Sequence, residues 1–313
     1  MKHRYGPEFP NETYVPHSYD EHRIDLGEVL MNYAVTGPPT APALLLIPSQ
    51  TESWWGYEAA MKLLEPHYRT FAVDLRGQGR STRTPGRYTL DNMGNDLVRF
   101  IQLVIGQPTL VSGLSSGGVL AAWLAAYAPP KVVRAACFED APIFSSELDP
   151  AHGNTMRQSD FALVMTLFYK YLGDQWSIGA WDAMVAAAPS PLPDWMAAML
   201  SPAGPTQNLK EYDPEWARAF RNGTATIGCD HLRMLKSVKV PVLFTHHFRI
   251  VEEEGGPSHG AVSDYQAKRT GELIRAAGQS FEYRSFPQMG HAMHSIDPAL
   301  YVSTLTDWIA TLR

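Results

Sequence analysis

Apolar positions along this chain fall into two recurring patterns: short unbroken runs, and longer stretches with a single apolar face. Ala43-Leu44-Leu45-Leu46-Ile47 is the clearest of the runs. It is too short for a helix and apolar on both sides, as a strand covered on both faces of a parallel sheet must be. The pattern recurs at residues 70–74, 109–111, 132–138 and 240–245. Further strands are expected at 29–35 and, near the end of the chain, at 281–286. Between them, residues 90–105 and 263–277 space their apolar positions as amphipathic helices do, and residues 298–312 read as a closing helix. Alternating strands and helices predict an α/β protein with a mostly parallel, doubly covered sheet.

One segment interrupts this rhythm. Residues 143–236 contain no convincing strand but carry four tryptophans, Trp176, Trp181, Trp195 and Trp216, among scattered prolines. A helical insertion lying over the strand ends as a lid is the simplest reading. The expected organisation is an N-terminal extension at 1–22, core at 23–142, a helical cap at 143–236 and core again at 237–313. The extension is polar and rich in Tyr, His and Pro. It is read as either packed on a partner subunit or mobile.

Bulk properties narrow the partners. A chain of 313 residues with 45% hydrophobic content can bury one large core, or a core and a smaller domain. Its net charge is −6 and no block of Lys or Arg occurs, so neither nucleic acid nor an anionic membrane is an expected partner. The longest apolar stretch, residues 119–128, is too short to span a bilayer. The start of the chain has no apolar leader. Two cysteines far apart, without metal-ligand spacing, predict neither a disulfide framework nor a metal site. A cytoplasmic protein without cofactor is expected, and a homo-oligomer is compatible with these features.

The chemistry centres on Gly113-Leu114-Ser115-Ser116-Gly117, which follows an apolar strand and opens an apolar helix. A serine on so sharp a strand-to-helix turn stands exposed above the sheet, and its neighbours two positions away must lack side chains for the chain to pass. Serine is a weak nucleophile without a base, and the base needs an acid to orient it. Of eleven histidines, His291 lies in the Gly-preceded loop between the last strand and the final helix, above the same sheet edge as Ser115. His294, three residues nearer the helix, is its competitor. His246 and His247 directly follow a buried strand and could border the cleft.

The loop after residues 240–245 offers no carboxylate before Glu252, so the acid is sought at the preceding strand end, Glu139-Asp140. Successive strand side chains face opposite ways, so only one of the two can point at His291. Asp140 is favoured, Glu139 being left for a salt bridge or a loop hydrogen bond. The oxyanion donors expected are the Ser116 N–H, by position, and the Gln50 N–H, from the loop after residues 43–47.

At this point the chain resembles the α/β-hydrolases. Asp74-Leu75-Arg76-Gly77-Gln78-Gly79-Arg80-Ser81 matches their Asp-x-Arg-Gly-x-Gly-x-Ser stretch, and with Gly113–Gly118 and Gly290-His291 it stands in the order that family uses. The resemblance covers residues 24–313 and implies a cap inserted after the sixth core strand. A closer likeness is to the bacterial zearalenone lactonases. It rests on Gly113-Leu114-Ser115-Ser116-Gly117, on an acid after the following strand, and on Pro48 opening the oxyanion loop. The stretches at 173–179 and 208–216 add to it.

That resemblance implies a Ser115, Asp140 and His291 triad, an oxyanion position at Gln50 where fungal members carry Gly, and a substrate-contacting cap tryptophan at Trp216. It further implies hydrolysis of the ester bond in a macrocyclic resorcylic acid lactone such as zearalenone, through an acyl-enzyme. Competing readings are a carboxylesterase or lactonase for another aryl or macrocyclic ester, a C–C bond hydrolase, and a ligand receptor on the same fold. Epoxide hydrolases and dehalogenases use Asp at the nucleophile position, and Ser115 argues against both.

Overall fold

Side chains alternate across the pleat of a strand, so a strand apolar at every position needs cover on both faces. Residues 43–47 meet that requirement at the centre of an eight-stranded sheet. The computed structural model describes residues 16–148, 152–153, 155–173, 179–189, 191, 197, 200, 204–247, 249 and 260–312. The strands are β1 (Glu21–Asp25), β2 (Leu30–Thr36), β3 (Ala43–Ile47) and β4 (Arg69–Val73). They continue with β5 (Thr109–Leu114), β6 (Val133–Glu139), β7 (Val242–His246) and β8 (Phe281–Ser285). Their spatial order is β1-β2-β4-β3-β5-β6-β7-β8. The pairs β1–β2 and β2–β4 are antiparallel and the remainder parallel.

The helices, in chain order, are α1 (Glu58–Leu64), α2 (Leu90–Phe100), α3 (Ser116–Tyr127), α4 (Asp160–Tyr171) and α5 (Trp181–Ala187). After them come α6 (Gln207–Lys210), α7 (Glu215–Arg221), α8 (His231–Lys236), α9 (Asp264–Ala276), α10 (Met293–Ile296) and α11 (Pro298–Thr311). Leu44, Leu46, Leu110, Ala135, Cys137 and Leu243 share one buried cluster with residues of α1 and α11. Leu45, Ile47, Val111, Ala136, Phe138 and Phe244 share the other with residues of α2, α3, α8 and α9. Between β6 and β7 the described residues contain helices and no strand, and Val164, Phe168, Trp181, Trp216 and Phe220 there join the second cluster.

Two elements differ from the sequence reading. β1 begins at Glu21, inside the segment read as an extension; it is a polar edge strand, half exposed, with no apolar run to reveal it. The helix read over 90–105 is α-helical only to Phe100 and ends in a π turn at Ile101–Ile105. Gly106, at φ 68°, closes that turn by donating its N–H to Ile101 O.

Register lines up the strand ends. Ile47 pairs with Gly113, Leu114 with Glu139, Glu139 with Thr245, and His246 with Ser285. Because β4 lies on one side of β3 and β5 on the other, the connections diverge between β3 and β5 and open a crevice at their carboxyl ends.

Candidate active site

Ser115 joins β5 to α3 with φ 53° and ψ −119°, a left-handed conformation that costs a non-glycine residue on the order of 1–3 kcal/mol. Packing enforces it. A Cβ on Gly113 would collide with the Gly117 backbone, and one on Gly117 with the carbonyls of Ile47 and Pro48. The two glycines therefore let the elbow fold against itself and against the end of β3. The Ser115 N–H donates to Glu139 O at 2.8 Å, tying the turn to β6.

Asp140 follows β6 directly. Its N–H donates to Thr245 O at 2.8 Å, its side chain is fully buried, and its φ of 42° turns it away from Glu139. Oδ1 accepts the His247 N–H at 3.0 Å and Oδ2 lies 2.6 Å from His291 Nδ1. Burial would raise the Asp140 pKa, but the hydrogen bond and charge of His291, then His247, hold it below the usual carboxylate range. For His291, desolvation pulls downward while the Asp140 hydrogen bond and charge win and raise the imidazole. The His291 side chain remains 43% exposed, so its far nitrogen is open to a reacting group. Of the residues picked from sequence, the structure thus joins Asp140 and His291 by direct contact. It sets Ser115 on the adjoining strand end, where its hydroxyl makes no hydrogen bond to His291. Such a bond is often long in a free enzyme and tightens with substrate.

Glu139, the alternative acid, is spoken for. His294 donates its backbone N–H to Glu139 Oε1 at 3.0 Å, and its Nδ1 lies 3.1 Å from both carboxylate oxygens. Its Nε2 lies 3.0 Å from Glu52 Oε1. Burial lowers the His294 pKa, but the charges of Glu139 and Glu52 overcome it and push it up to about 10.

The Gln50 N–H reaches the elbow but points at the Ser116 hydroxyl, 2.7 Å away. Ser116 N–H opens α3, where first-turn amides lack an intrahelical acceptor. Gln50 Nε2 donates to Tyr212 Oη at 2.7 Å, linking this loop to the inserted segment.

Trp216, to which the resemblance gives a substrate contact, is a buried anchor of the inserted segment. It is 1% exposed, donates its indole N–H to Arg76 O at 2.9 Å, and stacks on Tyr88 with centroids 6.0 Å apart. Its neighbours extend this anchorage. Asp213 N–H donates to Gly77 O at 2.8 Å, its carboxylate takes Tyr88 Oη–H and Arg83 Nε–H, and Glu211 accepts from Trp55 Nε1 at 3.0 Å. These contacts seat Trp216 against the loop after β4. Trp176, Trp195 and Glu252 lie outside the described residues.

His246 and His247 are buried braces rather than cleft-lining groups. His247 Nδ1 lies 2.9 Å from His291 O and Nε2 lies 3.0 Å from Thr245 Oγ1. With its N–H on Asp140, His247 holds both Asp140 and His291. Nothing in its local sequence signals that role beyond its position after a buried strand. The Asp74 motif is also structural: the carboxylate accepts the N–H groups of Trp54 and Arg80 at 2.7 and 2.9 Å, while buried Arg76 grips Asp96 through Nε and Nη2 at 2.7 and 2.9 Å.

Among the described residues no cluster of His, Cys, Asp or Glu is arranged to hold a metal ion, and no helix is long and apolar enough to cross a membrane. A sequence profile of the alpha/beta hydrolase fold matches residues 42–226. The chain is 30% identical over 105 residues to 3-oxoadipate enol-lactonase 2 of Acinetobacter baylyi, spanning 33% of this chain and 39% of that protein. It is 27% identical over 105 residues to epoxide hydrolase 2 of Caenorhabditis elegans, spanning 30% of each. It therefore spans less than two fifths of the length of these curated relatives. Among solved structures, the esterase RhEst1 from Rhodococcus sp. ECU1013 superposes with a TM-score of 0.66 at 22% identity, covering 95% of this chain and all of that one. The enol-lactonase from Burkholderia xenovorans LB400 gives 0.62 at 17%, covering 92% of this chain and all of that one.

Proposed function

The chain belongs to the alpha/beta hydrolase family, and from that membership and the site geometry we propose that it hydrolyses carboxylic esters or lactones with Ser115 as nucleophile. The observation that carries this reading is the 2.6 Å contact of His291 with buried Asp140 beside a serine held at φ 53°. In the proposed reaction Ser115 Oγ attacks the ester carbonyl as His291 Nε2 takes its proton. The oxyanion is met by the N–H groups of Ser116 and Gln50, the latter exchanging its bond to Ser116 Oγ for the substrate oxygen. As the acyl–oxygen bond breaks, His291 returns the proton to the leaving alkoxide. A water then attacks the acyl-enzyme, gives its proton to His291, and releases the acid while Ser115 regains its hydrogen.

The substrate we propose is a macrocyclic resorcylic acid lactone. The support is the likeness of Gly113–Gly117, Asp140 and residues 208–216 to the zearalenone lactonases. A relative and a solved structure of similar fold are themselves named enol-lactonases, which is in keeping with a lactone as substrate. Opening that ring would give a dihydroxybenzoic acid that loses CO2 spontaneously, making the step irreversible.

Steady-state turnover of zearalenone against a panel of simple aryl esters, with products identified by mass, tests the substrate. Ser115→Ala tests the mechanism: turnover is expected to fall by about 10^4- to 10^6-fold in a folded protein. Near wild-type hydrolysis by that variant would remove the serine mechanism.

A further inference from the structure

We propose that Glu52, His294 and Glu139 form a buried ionic clamp that holds the oxyanion loop in register with the nucleophile and the base. On this view Glu52 and His294 are positioning residues for the ester hydrolysis proposed above, on which the inference rests. Both ring nitrogens of His294 lie 3.0–3.1 Å from carboxylate oxygens, so both must donate and the ring is an imidazolium. The side chain is fully buried, with the Tyr57 ring stacked 3.9 Å away and Tyr301 edge-on at 5.9 Å. Glu52, Glu139, Tyr57 and Tyr301 are the titratable groups that face it, from the loop after β3, from β6, from the turn before α1 and from α11. A buried cluster of two anions and one cation is a poor source of stability compared with apolar side chains of similar volume. What it does fix is geometry.

Each member of the clamp governs one part of the site. Glu52 Oε2 accepts the Ser49 N–H at 3.0 Å and the Glu52 N–H donates back to Ser49 O at 3.3 Å. This closes the tight turn, with Thr51 at φ 68°, that presents the Gln50 N–H to the elbow. Glu139 takes the Ser115 N–H on its carbonyl and the His294 N–H on its carboxylate. His294 lies three residues beyond His291 at the start of α10, so the cation spans the loops that carry donor, nucleophile and base.

The test compares wild type with Glu52→Gln and His294→Gln on an aryl ester, with rates referred to serines titrated by a fluorophosphonate. Binding of a trifluoromethyl ketone, whose adduct carries the oxyanion, is measured alongside. Loosening the clamp is expected to lower kcat per titrated serine by about 10- to 100-fold, the scale of a misplaced reacting group. Ketone affinity should fall in parallel while KM stays within about twofold. Whichever variant folds decides, and Glu139→Gln serves if neither does. Unchanged kcat and ketone affinity in a folded variant overturn the clamp and leave serine hydrolysis standing. A wild type that neither turns over esters nor labels at Ser115 overturns the hydrolase reading and this inference with it.

Discussion

Asp140 combines two constraints in one residue: a left-handed backbone and a carboxylate that must be charged while buried. Asp, with its short side chain, visits that backbone region more readily than Glu. The charge it carries then sets the behaviour of His291, which in the proposed mechanism works as a base only when neutral. Since Asp140 raises the His291 pKa above 6.5, activity should fall as pH drops through a midpoint above that value. Asp140→Asn is expected to cost roughly 10^4-fold in kcat and to shift the midpoint downward, read from kcat/KM against pH. An unmoved midpoint would uncouple the two residues. Replacing His247 by Leu should lower kcat about tenfold with little change in KM, because it braces the acid and the base without touching substrate. The Asp140–His291 contact and the sharp turn at Ser115 were legible because both lie at strand ends that the apolar pattern locates. His247 and His294 were not, since their roles depend on loops that meet only in the folded chain.

At the scale of elements, the sequence pattern located the sheet because buried parallel strands must be apolar on both faces. It missed β1, whose half-exposed edge position demands no apolar run. The inserted segment was legible as an interruption, but not the direction of its tryptophans. Trp216 belongs to a latch in which residues 211–216 bond to the loops after β3 and β4. Trp216→Ala should therefore cost about 3–5 kcal/mol in urea unfolding, the range for a buried aromatic truncated to Ala. Per folded molecule, losses on p-nitrophenyl acetate and on the macrocyclic lactone should be equal. A selective loss on the lactone with unchanged stability would return Trp216 to the substrate.

Across the whole molecule, segments far apart in sequence converge on one edge of the sheet, and charge holds them there. His294 titrates near 10 when folded against 6.5 when unfolded, so its contribution is complete below about 6.5 and disappears as pH rises through about 10. Glu52 is held below 4.5, largely by His294 against the cost of burial, so its contribution is lost only as pH falls through that lowered value. The gap in melting temperature between wild type and His294→Gln should be widest below about pH 6.5, while Glu52 stays ionised, and should narrow as pH rises toward 10. A gap that widened in alkali would contradict a buried imidazolium.

The hydrogen bond from Gln50 to Tyr212 has a consequence for modularity. Caps are the parts one would exchange between such enzymes to change what they accept, on the assumption that the core keeps its own rate. Here one residue of the exchangeable part holds the side chain of an oxyanion-loop residue. A chimaera whose cap lacks Tyr212 should turn over even p-nitrophenyl acetate at an altered rate, although that ester is too small to reach the cap. If the proposed hydrolysis holds, substrate range and speed would not be independently transplantable.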